Sequence, residues 1–565
     1  MLDLKLVGGT IVDGTGASRY RGDVGIKDGK IVALGSVSED AESVVDAAGM
    51  IVAPGFVDIH THYDAQIFWD RMVSVSPWHG VTTIVIGNCG FGIAPTRPSD
   101  REIIIQSLER VEGMNADSLR QGIGEWPFET FEEFLAAIEE RGCAVNVGVL
   151  TGHLPTRIYV MGLDAMKRAA RPDEVEQMKA LVKQAMDAGA LGFATSYGTA
   201  HFGYQGLPVA SRFGTMEELS AIVSVLKDYS GSIFTPNIGE GVGFDDLEKI
   251  LSDTNVNVAW APLITSEVIN MSDSQRQLDA TNRLASMGYN ITAQFSPKPF
   301  TFEYRFSEPT LFLVLDVFDP IRTASHEEKL QIYASPEFRK GFREQVESRN
   351  FNFVTSVNAT VVGDGADPKY DGRTLEEIAK EEGKHVTDVA LDIAIASDLE
   401  ARFRWPQGNH VPSEVEPLLH NPNTLISLGD GGAHNSQLCD ACIPTYLLGH
   451  WVREMEALSL EEAVRLLTSR PADIFGISDR GRLMVGRPAD IVMFDESRVM
   501  SGPLRRVYDL PANGDRLVSE GIGIEAVIVN GVIIRRGGED AIDPNGDMPG
   551  TLLRRVNAPA ETVAA

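Results

Sequence analysis

The 565-residue sequence predicts an α/β protein, a (β/α)8 TIM-like barrel with a small β-sandwich assembled from both chain termini. Three observations predict it. Through the middle of the chain, short apolar runs alternate with helical patterns, the rhythm of a parallel sheet with crossover helices. The two ends share another texture, short Val/Ile-rich strands around tight turns. Two polar motifs, GFVDIHTHYD at 55–64 and SLGDGGAH at 427–434, stand at the mouths of the first and last apolar runs.

The first 50 residues turn often, in LKLVGGTIVDG, GDVGIKDGKIVALG and SVVDAAG, and read as hairpins. GRPADIVMFD at 486–495 and GIEAVIVNGVIIRRGG at 524–538 repeat that texture. So short an N-terminal piece buries a poor core alone. Residues 1–56 and 481–540 are therefore expected to share one sandwich, with 541–565 as a loose tail. The strands expected inside the barrel, residues 57–480, are 57–62, 82–87, 144–150, 190–196, 232–238, 255–261, 290–296 and 423–430. Helical patterns at 173–188 and 215–227 fall between them. The stretch at about 297–422 is too long for an ordinary connection. With its helical patterns at 327–346 and 383–397, it reads as a large insertion.

A hydrophobic content of 43% argues for a folded chain. The net charge of −30 repels polyanions, so nucleic acid is not an expected partner. No run reaches about 18 apolar residues, so no membrane contact is expected. The opening MLDLKLVGGTIV has no basic stretch followed by a long apolar core. The expectation is a cytoplasmic protein with reduced thiols, and homo-oligomerisation is left open. Cys439 and Cys442 form CDAC without a second such pair, and read as buried structural thiols.

The chemistry centres on His60 and His62. Residues two apart share one face of a strand, so both imidazoles point the same way at a strand mouth. Inward histidines require hydrogen-bond partners or a metal. If the first and last runs are neighbours in a closed sheet, Asp430 joins them, and two imidazoles with a carboxylate make a metal site suited to hydrolysis. GxSxG is absent, which argues against a serine nucleophile, and the glycine-rich stretches lack the lysine of a phosphate-binding loop.

PGFVDIHTHYD, GNCGFG, SLGDGGAH, RGRLMVGRPADIVMFD and VIVNGV resemble the amidohydrolase superfamily. More narrowly they resemble its N-acyl-D-amino-acid deacylase, or D-aminoacylase, branch, over nearly the whole chain outside the insertion. The resemblance implies a TIM-like barrel, a terminal sandwich, a divalent metal that is usually zinc, and hydrolysis of an amide-type bond in a small-molecule substrate. It implies His60 and His62 as metal ligands, Cys89 as a ligand or bridging ligand, and Asp430 as both ligand and general base.

The sequence also departs from that pattern. The fifth and sixth strand ends read TPNIGEG at 235–241 and VAWAPL at 258–263, without the histidines the superfamily usually places there. His201 and Glu240 are the candidate substitute ligands. His434, four residues past Asp430, is a candidate for substrate binding. In TGHLPTR at 151–157, His153 and Arg157 are further substrate candidates, Arg157 for a carboxylate. One or two Zn2+ ions are expected, with a single ion preferred. The expected function is metal-dependent hydrolysis of the C–N amide bond of a small N-acyl amino acid or related amide. A cyclic amide, carbamate or ester hydrolase and a non-catalytic scaffold are the alternatives.

Overall fold

The computed structural model describes residues 1–239, 241–268, 273–309 and 312–555. Its chain divides into two compact units, Met1–Leu263 with Arg276–Phe295 and Asn421–Ala565, and Ile264–Gln275 with Ser296–His420.

In the first unit, eight parallel strands pair in chain order. They are β1 (Phe56–Asp58), β2 (Val81–Ile86), β3 (Asn146–Gly152) and β4 (Gly192–Ser196), then β5 (Ile233–Asn237), β6 (Asn257–Trp260), β7 (Ile291–Phe295) and β8 (Thr424–Ile426). The sheet curls until the loops that continue its first and last strands meet. Thr61 bridges Gly431 in parallel, the His62 N–H donates to the Gly431 carbonyl at 2.7 Å, and the Asp430 N–H donates to the His60 carbonyl at 3.0 Å. Two expected strands are shorter than the sequence suggests. β1 ends at Asp58 and β8 at Ile426, so the polar motifs lie on the loops that continue them. Left-handed backbone at Leu428 (φ 65°) and Asp430 (φ 43°) ends the extended run after β8.

The strand interior is apolar on both faces, as a parallel sheet covered by helices requires. Val57, Ile59, Val85, Leu150, Leu191, Ile233 and Leu425 share one core cluster. Fully burying each such side chain contributes roughly 1.5–3 kcal/mol. Four helices of this unit bear on the site: α1 (Arg101–Val111), α2 (His153–Met161), α3 (Pro172–Ala188) and α4 (Met216–Val223). α3 shows how locally the chain specifies them. Pro172 opens it where no N–H is needed, and Gly189 at φ 113° ends it.

The chain termini share one nine-stranded sheet. Its N- and C-terminal halves join where Ile51–Pro54 runs antiparallel to Ile491–Phe494. Leu4, Leu6, Ile26, Val52, Ile491, Met493 and Ile528 form its core, so neither end buries its apolar face without the other. The tail is not loose along its described length. Leu552 and Leu553 pair with Val147 and Gly148 of β3, and the Thr551 N–H and hydroxyl both donate to Asn146 Oδ1. Arg554 adds an ion pair with Glu139 and Arg555 donates to the Leu191 carbonyl.

The second unit has a three-stranded sheet of Phe300–Arg305, Arg402–Gly408 and Val361–Val362. Its core is aromatic, with Tyr304, Phe306, Phe312, Phe318, Phe342, Phe353 and Trp405 packed together. The helical stretch expected at 327–346 is two helices, His326–Ala334 and Pro336–Glu347, because Pro336 opens a new one behind Ser335. Among the described residues, no helix is long and apolar enough to cross a membrane.

Candidate metal centre

His60 and His62 stand just past β1, 2% and 3% exposed, with ring centroids 5.4 Å apart. Cys89 lies in the turn after β2 at φ 56°, between Gly87 and Gly90, also left-handed. The glycines are needed for close approach. A Cβ on Gly87 would fall 2.2 Å from the Leu150 carbonyl oxygen, and one on Gly90 2.7 Å from that of Ala194. Asn88 braces the turn by donating to the carbonyls of Val85 and Ile59 at 2.9 and 3.1 Å.

One ligand atom from each of His60, His62 and Cys89 lies within 4.8 Å of the others, a group that takes in neither Asp430 nor Glu112. Cys89 Sγ is 3.4 Å from His60 Nε2. Asp430 Oδ1 is 3.5 Å from His60 Nε2 and 3.7 Å from His62 Nε2. Two donors at about 2.0–2.3 Å from one cation, at near-tetrahedral angles, stand roughly 3.3–3.7 Å apart. The donor set therefore fits a divalent ion, and imidazole with thiolate suits zinc or another borderline-soft metal.

The cluster is electrostatically coupled. Burial alone would lower the His60 pKa, but the Cys89 thiolate and Asp430 raise it to about 9. His62 is likewise raised against its burial, by Glu112, Asp430 and Cys89. Burial would raise Cys89, yet the two imidazoles hold it below the ordinary thiol value. Asp430 is buried, which favours the acid, but the imidazoles bring it down to about 2. Protons thus collect on nitrogens that a cation would claim, so metal uptake releases them.

Neighbours the sequence did not single out orient the cluster. Gln294 of β7 is fully buried. Its Nε2 donates to the Ala259 carbonyl at 2.7 Å, which turns Oε1 toward His60 and Ser427. The His60 Nδ1–H donates to that oxygen at 2.8 Å, which fixes the ring and turns Nε2 toward the cluster. Asn237 at the end of β5 donates to Cys89 Sγ at 3.2 Å, so β5 supplies an amide where a histidine was sought. At the end of β6, Trp260 is buried and donates to Thr281. Gln294 and Asn237 carry one sequence signal, a polar residue inside an otherwise apolar parallel strand. Glu112, at the end of α1, carries none, yet its Oε2 lies 3.7 Å from His62 Nε2.

The other sequence candidates separate. His201 sits outside the three-residue ligand group, with Nδ1 2.6 Å from Ser196 Oγ and its ring edge-on to Phe91. Its burial lowers its pKa to about 4. Glu240 lies outside the described residues. His434 Nε2 is 3.7 Å from Glu112 Oε2, beside the cluster. His153 and Arg157 are fully buried on α2. His153 spends Nδ1 on Thr195 and Nε2 on Glu218 of α4, and Arg157 pairs with both oxygens of the same Glu218. Arg157 is thus a brace between helices, because its own charge needs Glu218 once water is excluded. Cys439 and Cys442 are buried.

A curled sheet of eight parallel strands, with imidazole, thiolate and carboxylate donors gathered at their carboxyl ends, defines a metal-dependent hydrolase. The amidohydrolase family model matches residues 43–267 and 356–535, and the chain belongs to that family. It is 27% identical to a D-aminoacylase of Alcaligenes xylosoxydans xylosoxydans, with 98% of each chain covered. An N-acyl-D-glutamate deacylase of the same organism is 28% identical, over 98% of this chain and 97% of that one. The crystal structure of N-acyl-D-glutamate deacylase from Bordetella bronchiseptica, complexed with zinc and a phosphonate mimic of the tetrahedral intermediate, is 26% identical. It superposes with a TM-score of 0.65, covering 98% of this chain and 99% of that one.

Proposed function

We propose that this protein is a zinc-dependent amidohydrolase that cleaves the amide bond of a small N-acyl amino acid, with His60, His62, Cys89 and Asp430 holding the ion. The single observation that carries this reading is the spacing of Cys89 and Asp430 from His60, 3.4 and 3.5 Å, and of Asp430 from His62, 3.7 Å, distances that suit donors around a shared cation. The curled sheet is read as a closed (β/α)8 barrel spanning 57–480 with the insertion at about 297–422. The terminal sheet is read as the small sandwich of 1–56 and 481–540.

When bound, the ion supplies Lewis acidity to the scissile carbonyl and acidifies the attacking water. Asp430 Oδ1 faces both imidazoles, which leaves Oδ2 to take the proton from that water. The same oxygen then hands the proton to the departing nitrogen, and the carboxylate is restored. Gln294 keeps the His60 ring from turning, and Asn237 holds the Cys89 thiolate in place. His434, at the rim beside Glu112, is read as a substrate contact.

A ring amide is the second reading, favoured by one observation. Arg157 is consumed by Glu218, so it offers no guanidinium to a substrate carboxylate. The test is amine release from a panel of D- and L-N-acyl amino acids, set beside hydantoin- and dihydropyrimidine-type rings. Zinc-loaded protein should release amine from the open-chain amides, lose that activity on prolonged chelation and regain it with zinc. Full activity in protein free of any transition metal would refute the metal reading. Turnover of the rings alone would shift the substrate to the second reading.

A further inference from the structure

Glu112 follows the last residue of α1, and its backbone N–H closes that helix on Leu108. It is 3% exposed. A helix C-terminus carries partial negative charge, so an acidic residue there is electrostatically misplaced, and burial worsens the cost. Such a carboxylate normally recovers its lost hydration through hydrogen bonds. Among the described residues its oxygens accept none. The neighbours of Oε2 are His62 Nε2 and His434 Nε2, each at 3.7 Å. A direct N–H···O bond would bring nitrogen and oxygen to about 2.7–3.2 Å. Two atoms at about 2.0–2.3 Å from one cation, at near-tetrahedral angles, stand instead at roughly 3.3–3.7 Å.

The position is built. The Glu112 carbonyl accepts the His434 N–H, so the end of α1 is tied to the loop that carries Asp430. His62 Nε2 thus has Asp430 Oδ1 and Glu112 Oε2 at the same 3.7 Å. On the opposite flank of the cluster, Asn237 and Gln294 present amides where β5 and β7 end, and both are engaged in hydrogen bonds. Carboxylate is available on the α1 side.

We propose that Glu112 is a further ligand of the site's divalent cation, reaching it beside His62 and Asp430. This rests on the metal-dependent activity proposed above. His434 stands on the same carboxylate oxygen and positions it.

Metal-free wild type, E112Q and E112D are titrated with cobalt(II) alone, with affinity read by chelator competition and coordination read from the visible absorption bands. Wild type should bind cobalt. E112Q should bind it more than about 100-fold more weakly, beyond the scale on which groups that only brace the ligands tune affinity, and with altered bands. E112D keeps the charge but shortens the reach, and should also lose affinity. The metal-free melting temperature of E112Q is read alongside, and the loss of cobalt affinity should exceed any change in apoprotein stability that comes from losing the His62 and His434 ion pairs. Unchanged affinity and bands in both variants would overturn the role of Glu112 while leaving the metal reading intact. Wild type that binds no cobalt would overturn both.

Discussion

Two buried polar clusters stand at strand ends of the same sheet, and they are opposites. Beyond β3 and β4, His153, Arg157, Glu218 and Thr195 close on one another. Both His153 nitrogens have partners, at 2.7 and 2.8 Å, and both Glu218 oxygens take the Arg157 guanidinium. Beyond β1 and β8, His60, His62, Cys89, Asp430 and Glu112 approach to 3.4–3.7 Å and stop. In the first cluster the imidazole and the carboxylate are fully partnered, so it holds α2 to α4. The second keeps its donors and acceptors 3.4–3.7 Å apart, room that a shared cation would fill. Burial and residue type do not distinguish the two; the separation of the polar atoms does.

The sharpest way to break this comparison is D430N, which keeps the size and removes the proton-accepting charge. Turnover should fall about 10²–10⁴-fold, the range of general-base catalysis, with the circular dichroism spectrum unchanged. Near-normal turnover in metallated D430N would move the base elsewhere, with Glu112 the first suspect.

E218A attacks the other cluster and should show in stability. Stranding a buried Arg157 should cost about 3–5 kcal/mol, seen as a lower denaturation midpoint. The pH dependence has a definite sign. Burial would raise the Glu218 carboxyl, but His153 and Arg157 depress it from 4.5 to about 2. Its contribution is therefore complete above pH 4.5 and is lost as pH falls toward about 2. E218Q should flatten the stability profile across that window. An unchanged acid limb would show that the cluster does not hold the fold.

C89A should lower metal affinity by more than about 100-fold, beyond the range for groups one shell out, because it deletes a donor. Normal metal content by elemental analysis would reduce Cys89 to packing. The smallest effect is expected from Q294A, which frees the His60 ring without deleting a ligand. An affinity loss of about tenfold is expected, and a loss as large as that of C89A would mean that Gln294 itself touches the ion.

Much of this was legible along the chain. A two-residue spacing puts His60 and His62 on one face whatever the rest of the fold does. The apolar runs around β2 to β7 are strands because parallel strands are buried on both faces, and their ends fall within two residues of those expected. The motifs at 55–64 and 427–434 carried the family. What remained hidden depends on neighbours distant in sequence. His201 was a candidate ligand from its position after β4, but its nitrogen is turned to Ser196. Arg157 offered a carboxylate clamp until Glu218, 61 residues away, was seen to take it.

The sequence by itself determined the alternation of strand and helix, the shared sheet of the two termini and the imidazole pair, because these follow from period, turn chemistry and residue type. Only the tertiary structure decided which polar groups were spent and which were left over. Asn237 finds Cys89 across 148 residues and Gln294 finds His60 across 234. The end of α1 brings Glu112 to His62 because a helix end is aimed by what it packs against, and its own sequence does not encode that direction.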